Sequence, residues 1–240
     1  MSLDTARRML REAHTIISFS GAGLSAESGI ATFRDAQSGL WSKFDPMTLA
    51  SADGFQDDPE LVTRWYQDRR RAMAVAQPNP AHRALAGRPD LYHITQNIDD
   101  LLNRAGIAED RIIQLHGTMN RDRCHGSCGY EEMIDMAEPP GLRTCPAGCG
   151  AWLRPSVVWF GEMLPTEAWT TAQRWCTDCD LLLVVGTSAV VYPAAGLIAL
   201  AREAGARIII VNTMPSDASA LADVELLGRA GDILPQLLAD

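Results

Sequence analysis

Thr15-Ile16-Ile17-Ser18-Phe19-Ser20-Gly21-Ala22-Gly23-Leu24-Ser25-Ala26 is the stretch that decides the fold. Thr15 to Phe19 form an apolar, β-branched run of strand length, and it opens directly into a G-x-G-x-x-A turn. Glycines there let the backbone approach a pyrophosphate, and the helix that follows offers N–H donors and its positive dipole end. The usual dehydrogenase partner, an acid closing a second strand about 20 residues on, is missing. Trp41-Ser42-Lys43-Phe44-Asp45 stands there with no strand before it. Hydride transfer is therefore the weaker reading of this nucleotide loop. A dinucleotide that is cleaved needs a base, a polar pocket for nicotinamide and an aromatic lid.

Moving outward, similar buried-type runs recur at Leu91–Thr95, Arg111–Leu115, Leu181–Val185 and Arg207–Val211, with a weaker one at Val224–Leu227. Helical patterns fall between several of them. Asn79-Pro80 gives an N-cap and a first-turn proline, and Tyr192-Pro193-Ala194-Ala195-Gly196 opens a helix reaching Glu203. Alternating strands and helices predict a doubly wound, Rossmann-type parallel sheet with helices on both faces, an α/β fold. In such a sheet all carboxyl ends lie on one edge, where ligands bind. Five strands end in glycines or polar groups: Gly21-Ala22-Gly23, Gln96-Asn97-Ile98-Asp99, His116, Gly186-Thr187-Ser188 and Asn212. Any one of these is ordinary turn chemistry; together they predict one site.

Two stretches break the alternation. Thr32 to Gln77 carries helical segments and aromatics but no strand, and reads as a helical module or lid over the crevice. Met119 to Arg154 carries the clustered cysteines. The expected organisation is a nucleotide-binding domain of residues 1–31, 78–118 and 155–240, a helical module at 32–77 and a metal module at 119–154.

The 240 residues carry 21 basic and 30 acidic side chains, a formal charge of -9, which argues against nucleic acid as the main partner. No apolar run approaches the roughly 18 residues that span a membrane, and the first twelve residues read as a helix, not a removable signal. A cytoplasmic monomer is the default expectation. Cys124, Cys128, Cys145 and Cys149 form a C-x3-C, 16-residue, C-x3-C array. Four thiolates suit tetrahedral zinc with no open position, hence a structural ion. His125 is a spare donor by proximity, whereas Cys176 and Cys179, at a helix-to-strand corner, read as packing residues.

His116, closing a strand in Leu115-His116-Gly117, is the candidate general base. Asn97 and Asp99 are candidates for ribose hydroxyls or a nicotinamide amide. His82 sits inside a helix and reads as structural; His14 and His93 have no chemical context. Tyr66 and Arg69 share a helical face, where a phenol beside a guanidinium suits a carboxylate. The competing reading makes Arg69-Arg70-Arg71 a solvated basic face with Asp68 pairing nearby.

Gly21-Ala22-Gly23-Leu24-Ser25-Ala26-Glu27-Ser28-Gly29-Ile30, Thr32-Phe33-Arg34, Thr95-Gln96-Asn97-Ile98-Asp99, Leu115-His116-Gly117, the four cysteines, Val158-Trp159-Phe160-Gly161-Glu162 and Gly186-Thr187-Ser188 together resemble the sirtuins, NAD-dependent protein lysine deacylases. The motifs come in the family's order and cover nearly the whole chain. Ala31 departs from it, since many members have proline there. The resemblance implies a Rossmann domain beside a smaller zinc-plus-helical domain, with NAD consumed as co-substrate. It implies that the acyl oxygen attacks the ribose carbon as nicotinamide leaves, and that His116 then serves the ribose hydroxyls as base. Free lysine and 2′-O-acyl-ADP-ribose are the implied products.

Matched residue by residue, Ala22, Phe33, Arg34, Gln96, Asn97 and Asp99 surround the nicotinamide ribose and phosphates. Gly186, Thr187, Ser188, Asn212 and Ala230 hold the adenosine half. Gly21, Gly23, Ser25, Ala26, Trp41, Ile98, Thr213 and Met214 complete the cofactor set. Val158, Phe160, Gly161, Glu162, Val190 and Tyr192 clamp an acyl-lysine peptide as an added β-strand. Tyr66 and Arg69 resemble the Tyr-x-x-Arg of the subgroup that removes succinyl, malonyl or glutaryl groups, with acetyl often accepted. The alternatives are a protein ADP-ribosyltransferase, a plain deacetylase without acidic-acyl preference, and a non-catalytic NAD or acyl-lysine binding module.

Overall fold

Runs of residues apolar on both sides make strands that only a covered sheet can hold. In the structure, a computed structural model describing residues 2–31, 45–126 and 128–239, the strands are β1 (Ile16–Ser20), β2 (Leu91–Thr95), β3 (Ile112–Gln114), β4 (Gly117–Cys124), β5 (Glu131–Met133), β6 (Leu153–Val157), β7 (Leu181–Val185), β8 (Arg207–Asn212) and β9 (Val224–Leu227). Six of them form a sheet in the order β3-β2-β1-β7-β8-β9, every pairing parallel. The chain moves outward one way through β2 and β3, then returns to the middle at β7 and moves the other way. The β1/β7 junction is therefore the switch point, where a doubly wound sheet opens its crevice.

All five residues of β1 and all five of β7 are buried. The polar ones in β1 are satisfied across the ladder: Ser18 Oγ lies 2.7 Å from His93 Nδ1, and the Ser20 hydroxyl donates to Thr95 Oγ1 at 2.9 Å. His93, without context in the sequence, is thus an internal partner of the central strand.

The helices are α1 (Leu3–Glu12), α2 (Gly23–Ala26), α3 (Pro46–Leu49), α4 (Ala52–Asp57), α5 (Pro59–Val75), α6 (Pro80–Ala86), α7 (Leu101–Arg104), α8 (Thr166–Asp178), α9 (Gly196–Glu203) and α10 (Ala230–Leu237). Ala6, Met9 and Leu10 of α1, Leu85 of α6 and Leu234 of α10 cover one sheet face, against Ile16, Leu183 and Ile209. Ala172 and Cys176 of α8 with Leu197 and Ile198 of α9 cover the other, against Ile17, Leu182 and Ile208. Cys176 and Cys179 are both buried in this second layer. The helix read from Tyr192 begins only at Gly196; residues 192–195 form a turn, and Tyr192 is 74% exposed.

The third strand stops at Gln114, and the chain runs through Leu115-His116 into β4, which pairs antiparallel with β5 and β6. A third core sits between this small sheet and the helices, built from Leu49, Phe55, Val62, Trp65, Tyr66, Met73, Met119, Val157 and Trp159. Helix α5 is its main wall. Asp58 caps its start by accepting the Leu61 N–H at 2.9 Å, and the Arg104 guanidinium donates to the late carbonyls of Met73 and Ala76 at 3.2 and 2.5 Å. Arg70, 3% exposed, ties α5 to β4. It donates to the carbonyls of Met119 and Arg121 and pairs with Asp122 at 2.7 Å. Asp122 also receives Arg143 at 2.9 Å.

Candidate active site

The turns after β1 and β7 meet backbone to backbone. The Gly23 N–H donates to Gly186 O at 2.8 Å and the Gly21 N–H to Val185 O at 3.0 Å. A Cβ on Gly21 would sit 2.9 Å from Gly186 O, and one on Gly23 would sit 2.7 Å from Gly186 Cα. Gly186 holds φ +59, and a Cβ there would fall 2.4 Å from Leu24 N. The glycine code therefore serves first to bring two sheet turns into contact, leaving a cradle at the switch point. The helix after the loop is only one turn, Gly23–Ala26, so its dipole is smaller than the sequence suggests and the backbone N–H groups carry the polarity.

Hydrogen bonds knit the other strand ends to this cradle. The Asn97 amide, buried, donates from Nδ2 to Gly21 O and to Ser25 Oγ, each at 3.1 Å. Gln96 Nε2 reaches Thr187 Oγ1 at 3.0 Å, and Asn212 Nδ2 reaches Thr187 O at 2.9 Å. Asp99 accepts the Leu101 N–H at 3.1 Å, yet burial raises its pKa above the usual carboxylate range. Ser188 follows the β7 turn, and Ala230 opens α10, whose Gly231 N–H reaches Glu27 Oε1 at 2.8 Å. Thr213 and Met214 are exposed beyond β8. Phe33, Arg34 and Trp41 lie outside the described residues.

His116 follows β3 with its Nδ1 2.9 Å from Gln96 O. A carbonyl cannot donate, so Nδ1 carries the hydrogen and Nε2 holds the lone pair. Burial lowers the imidazole pKa below its ordinary value, with the Gln96 carbonyl pulling the other way. A neutral ring with a fixed tautomer is the form a general base requires.

On α5 the three consecutive arginines diverge. Arg71 pairs with Asp68 at 3.1 Å on the surface, Arg70 is locked to Asp122, and Arg69 is half-buried against Trp65. Arg69 lies 4.8 Å over the Trp65 ring, and its buried Nε has no hydrogen-bond partner among the described residues. Burial lowers its pKa, while nearby Tyr66 and Asp99 favour the charged form. One turn back, the Tyr66 oxygen accepts Trp159 Nε1–H at 2.8 Å, and burial pushes the phenol pKa up to about 12. The solvated-face reading thus holds for Arg71 alone.

Trp159 is the residue that sequence reasoning passed over, although it sits inside the quoted Val158–Glu162 stretch. Its ring packs against Phe55 and lies under the Arg154 guanidinium, 3.9 Å away. Glu162 organises the turn. Its carboxylate accepts the Trp159 N–H at 2.9 Å and pairs with Arg123 and with Arg154. The Val158 N–H goes to His116 O and the Phe160 N–H to Ala50 O, each at 2.9 Å, which binds the segment to His116 and to the end of α3. Phe160, Val190, Val191 and Tyr192 expose apolar surface on the two segments matched to the peptide clamp.

The sulfurs of Cys124, Cys128, Cys145 and Cys149 all lie within 4.8 Å of one another, Cys124 to Cys149 at 3.4 Å and Cys128 to Cys145 at 3.6 Å. Four thiolates about 3.8 Å apart are what tetrahedral zinc with 2.3 Å bonds requires, so the cluster suits one structural zinc. Two turns deliver it, closed by Cys124 N–H to Tyr130 O at 2.8 Å and Cys145 N–H to Ala151 O at 2.7 Å. His125 is not part of the cluster; its ring packs edge-on against Phe55, 5.1 Å between centroids. Among the described residues no helix is long and apolar enough to cross a membrane.

Comparison with known proteins places this geometry. The model of the Sir2 family matches residues 21–193. An NAD-dependent protein deacylase of Ralstonia nicotianae is 46% identical over 237 residues, covering 98% of this chain and 95% of that one. Among solved structures, a Sir2 homolog in complex with NAD superposes with a TM-score of 0.91 at 41% identity, over 98% of this chain and 92% of the other. A Sir2 protein with a p53 peptide and NAD+ superposes with a TM-score of 0.86 at 29% identity, over 99% and 98%.

Proposed function

The chain belongs to the Sir2 family, and on that premise we propose that it is an NAD-dependent deacylase of protein lysines, removing succinyl and malonyl as well as acetyl groups. The products are nicotinamide, free lysine and 2′-O-acyl-ADP-ribose. The deacylase activity is supported by the relatives' common name and by a fixed neutral His116 at the edge of a glycine cradle. The acidic-acyl preference rests on one observation: a half-buried Arg69 whose buried Nε has no partner among the described residues, one turn from a phenol that remains protonated. A buried guanidinium N–H without an acceptor is costly unless a ligand oxygen completes it.

In this reading the 1–31, 78–118 and 155–240 segments bind NAD, with 32–77 and 119–154 as helical and zinc modules. NAD, when bound, supplies an electrophilic ribose carbon with nicotinamide as its leaving group. Gly21, Ala22, Gly23, Ser25 and Ala26 hold its phosphates. Gln96, Asn97, Ile98 and Asp99 orient the nicotinamide half; Gly186, Thr187, Ser188, Asn212, Thr213, Met214 and Ala230 hold the adenosine half. Phe33, Arg34 and Trp41 belong to the same set by family matching. His116 Nε2 takes the proton from a ribose hydroxyl. Val158, Phe160, Gly161, Glu162, Val190 and Tyr192 line the peptide groove, and the solved relative with a p53 peptide and NAD+ supports a peptide substrate.

The test is kcat/KM on one peptide carrying acetyl-lysine or succinyl-lysine, for wild type and Arg69→Met, with the nucleotide product weighed by mass spectrometry. A succinyl-to-acetyl ratio that drops about 100-fold in the variant, consistent with losing charge-assisted hydrogen bonds to a carboxylate, supports the reading. An unchanged ratio makes this a plain deacetylase; ADP-ribose left on the peptide makes it an ADP-ribosyltransferase.

A further inference from the structure

We infer that Trp159 is a positioning residue for acyl selection: its indole N–H occupies the oxygen of Tyr66 and so commits the phenolic hydrogen to an acceptor on the acyl group. The inference rests on the acidic-acyl reading above and extends it to a residue that does not touch the carboxylate.

Indole nitrogen donates only; it has no lone pair to offer. The 2.8 Å contact between Trp159 Nε1 and the Tyr66 oxygen therefore has one sense, with the phenol accepting. A free phenol both donates and accepts, and in an acyl pocket it is equally able to receive a hydrogen bond from a neutral group. With one side of its oxygen filled by an N–H, Tyr66 is biased to donate, which is what an acyl carboxylate demands. Burial reinforces this by keeping the phenol protonated to about pH 12, and Arg69 one turn on supplies the countercharge.

The geometry of the donor is itself held. Trp159 is 2% exposed, and Arg154 lies across its ring 3.9 Å away. Arg154 is fixed in turn by Val157 O at 3.0 Å and by Glu162, whose carboxylate also receives the Trp159 backbone N–H. Phe55 packs on another side with ring centroids 5.3 Å apart. The indole is thus pinned in plane and direction by groups on β6, on the turn after it and on α4. That is more support than an apolar core filler needs, and it converges on one hydrogen.

The experiment measures kcat and KM for succinyl-lysine and acetyl-lysine versions of one peptide in wild type, Trp159→Phe, Tyr66→Phe and the double variant. Because Phe leaves a gap, a second substitution replaces Trp159 with benzothienylalanine, which keeps the bicyclic ring and exchanges N–H for sulfur. The expected result is a succinyl-to-acetyl ratio about fivefold lower in both Trp159 variants, the size of one neutral hydrogen bond. The change should sit in KM for the succinyl peptide, and Trp159→Phe should add nothing once Tyr66 is Phe. If Tyr66→Phe lowers the ratio but benzothienylalanine leaves it at the wild-type value, the inference is overturned while the acidic-acyl reading stands. If neither Tyr66→Phe nor Arg69→Met moves the ratio, the acidic-acyl reading fails and the inference falls with it.

Discussion

His116 and Gln96 are joined by a 2.9 Å hydrogen bond from the imidazole Nδ1–H to the main-chain carbonyl, so the strand end that bears Gln96 also fixes the tautomer of the histidine proposed as base. On the proposed reading, the base and the cofactor edge are therefore one mechanical unit. If the neutral ring is the active form, kcat/KM should be flat above neutrality. It should fall as pH drops through the folded pKa, which burial places below 6.5. A pH–rate profile from 5 to 9 checks this; an acid limb centred above 6.5 would count against it. His116→Ala should lower kcat by about 100- to 10,000-fold.

Gly186 makes a sharper structural prediction. Alanine there must adopt φ +59 and place a Cβ 2.4 Å from Leu24 N and 2.6 Å from Gly23 C, both backbone atoms. The two turns must separate. Gly186→Ala should destabilise the fold by roughly 2–4 kcal/mol, lowering Tm by about 5–15 °C for a chain of this size. Thermal melts with and without NAD measure it, and the stabilisation given by NAD should shrink as well.

Asp122 holds two arginines, Arg70 on α5 and Arg143 in the segment between the cysteine pairs. Truncating it leaves Arg70, 3% exposed, as an uncompensated buried charge, at a cost of about 3–5 kcal/mol. Urea denaturation of Asp122→Ala should show the loss, and Arg143→Ala, whose side chain is 35% exposed, should cost much less.

His82 and His93 are fully buried, and both pKa values are lowered to about 4, first of all by burial. The unfolded chain binds these protons near pH 6.5 and the folded one does not, so stability is complete above about 6.5 and declines as pH falls toward 4. At pH 5 each should have cost on the order of 2 kcal/mol. Urea midpoints at pH 7.5, 6 and 5 test this, in a window above most carboxylate titrations.

The sheet and its edge were legible because each strand carries its own signal: apolar runs at Ile16, Leu91 and Leu181, then glycines or amides at the turn. The cysteine spacing likewise announced a four-sulfur cluster. What the chain order hides is side-chain direction among neighbours in space. Spacing puts Arg69 on one face with Tyr66, yet only the folded core decides against the competing solvated face of three arginines, turning Arg70 to Asp122 and setting Arg69 over Trp65. Trp159 was unreadable for the same reason, since its partner Tyr66 lies 93 residues away. His93 lacked meaning until β1 and β2 aligned Ser18 beside it. A helix boundary such as Gly196 rather than Tyr192 is decided by tertiary packing that local propensity does not carry.

Helix α5 carries Tyr66, Arg69 and Arg70, while His116 and the glycine turns stand at the strand ends of the sheet. On the proposed reading, choice of acyl group and chemistry of its removal are written in separate parts of the gene. Substrate range can then drift through exchanges at Tyr66, Arg69 and the Trp159 that orients the phenol, with the turns proposed to hold NAD left intact.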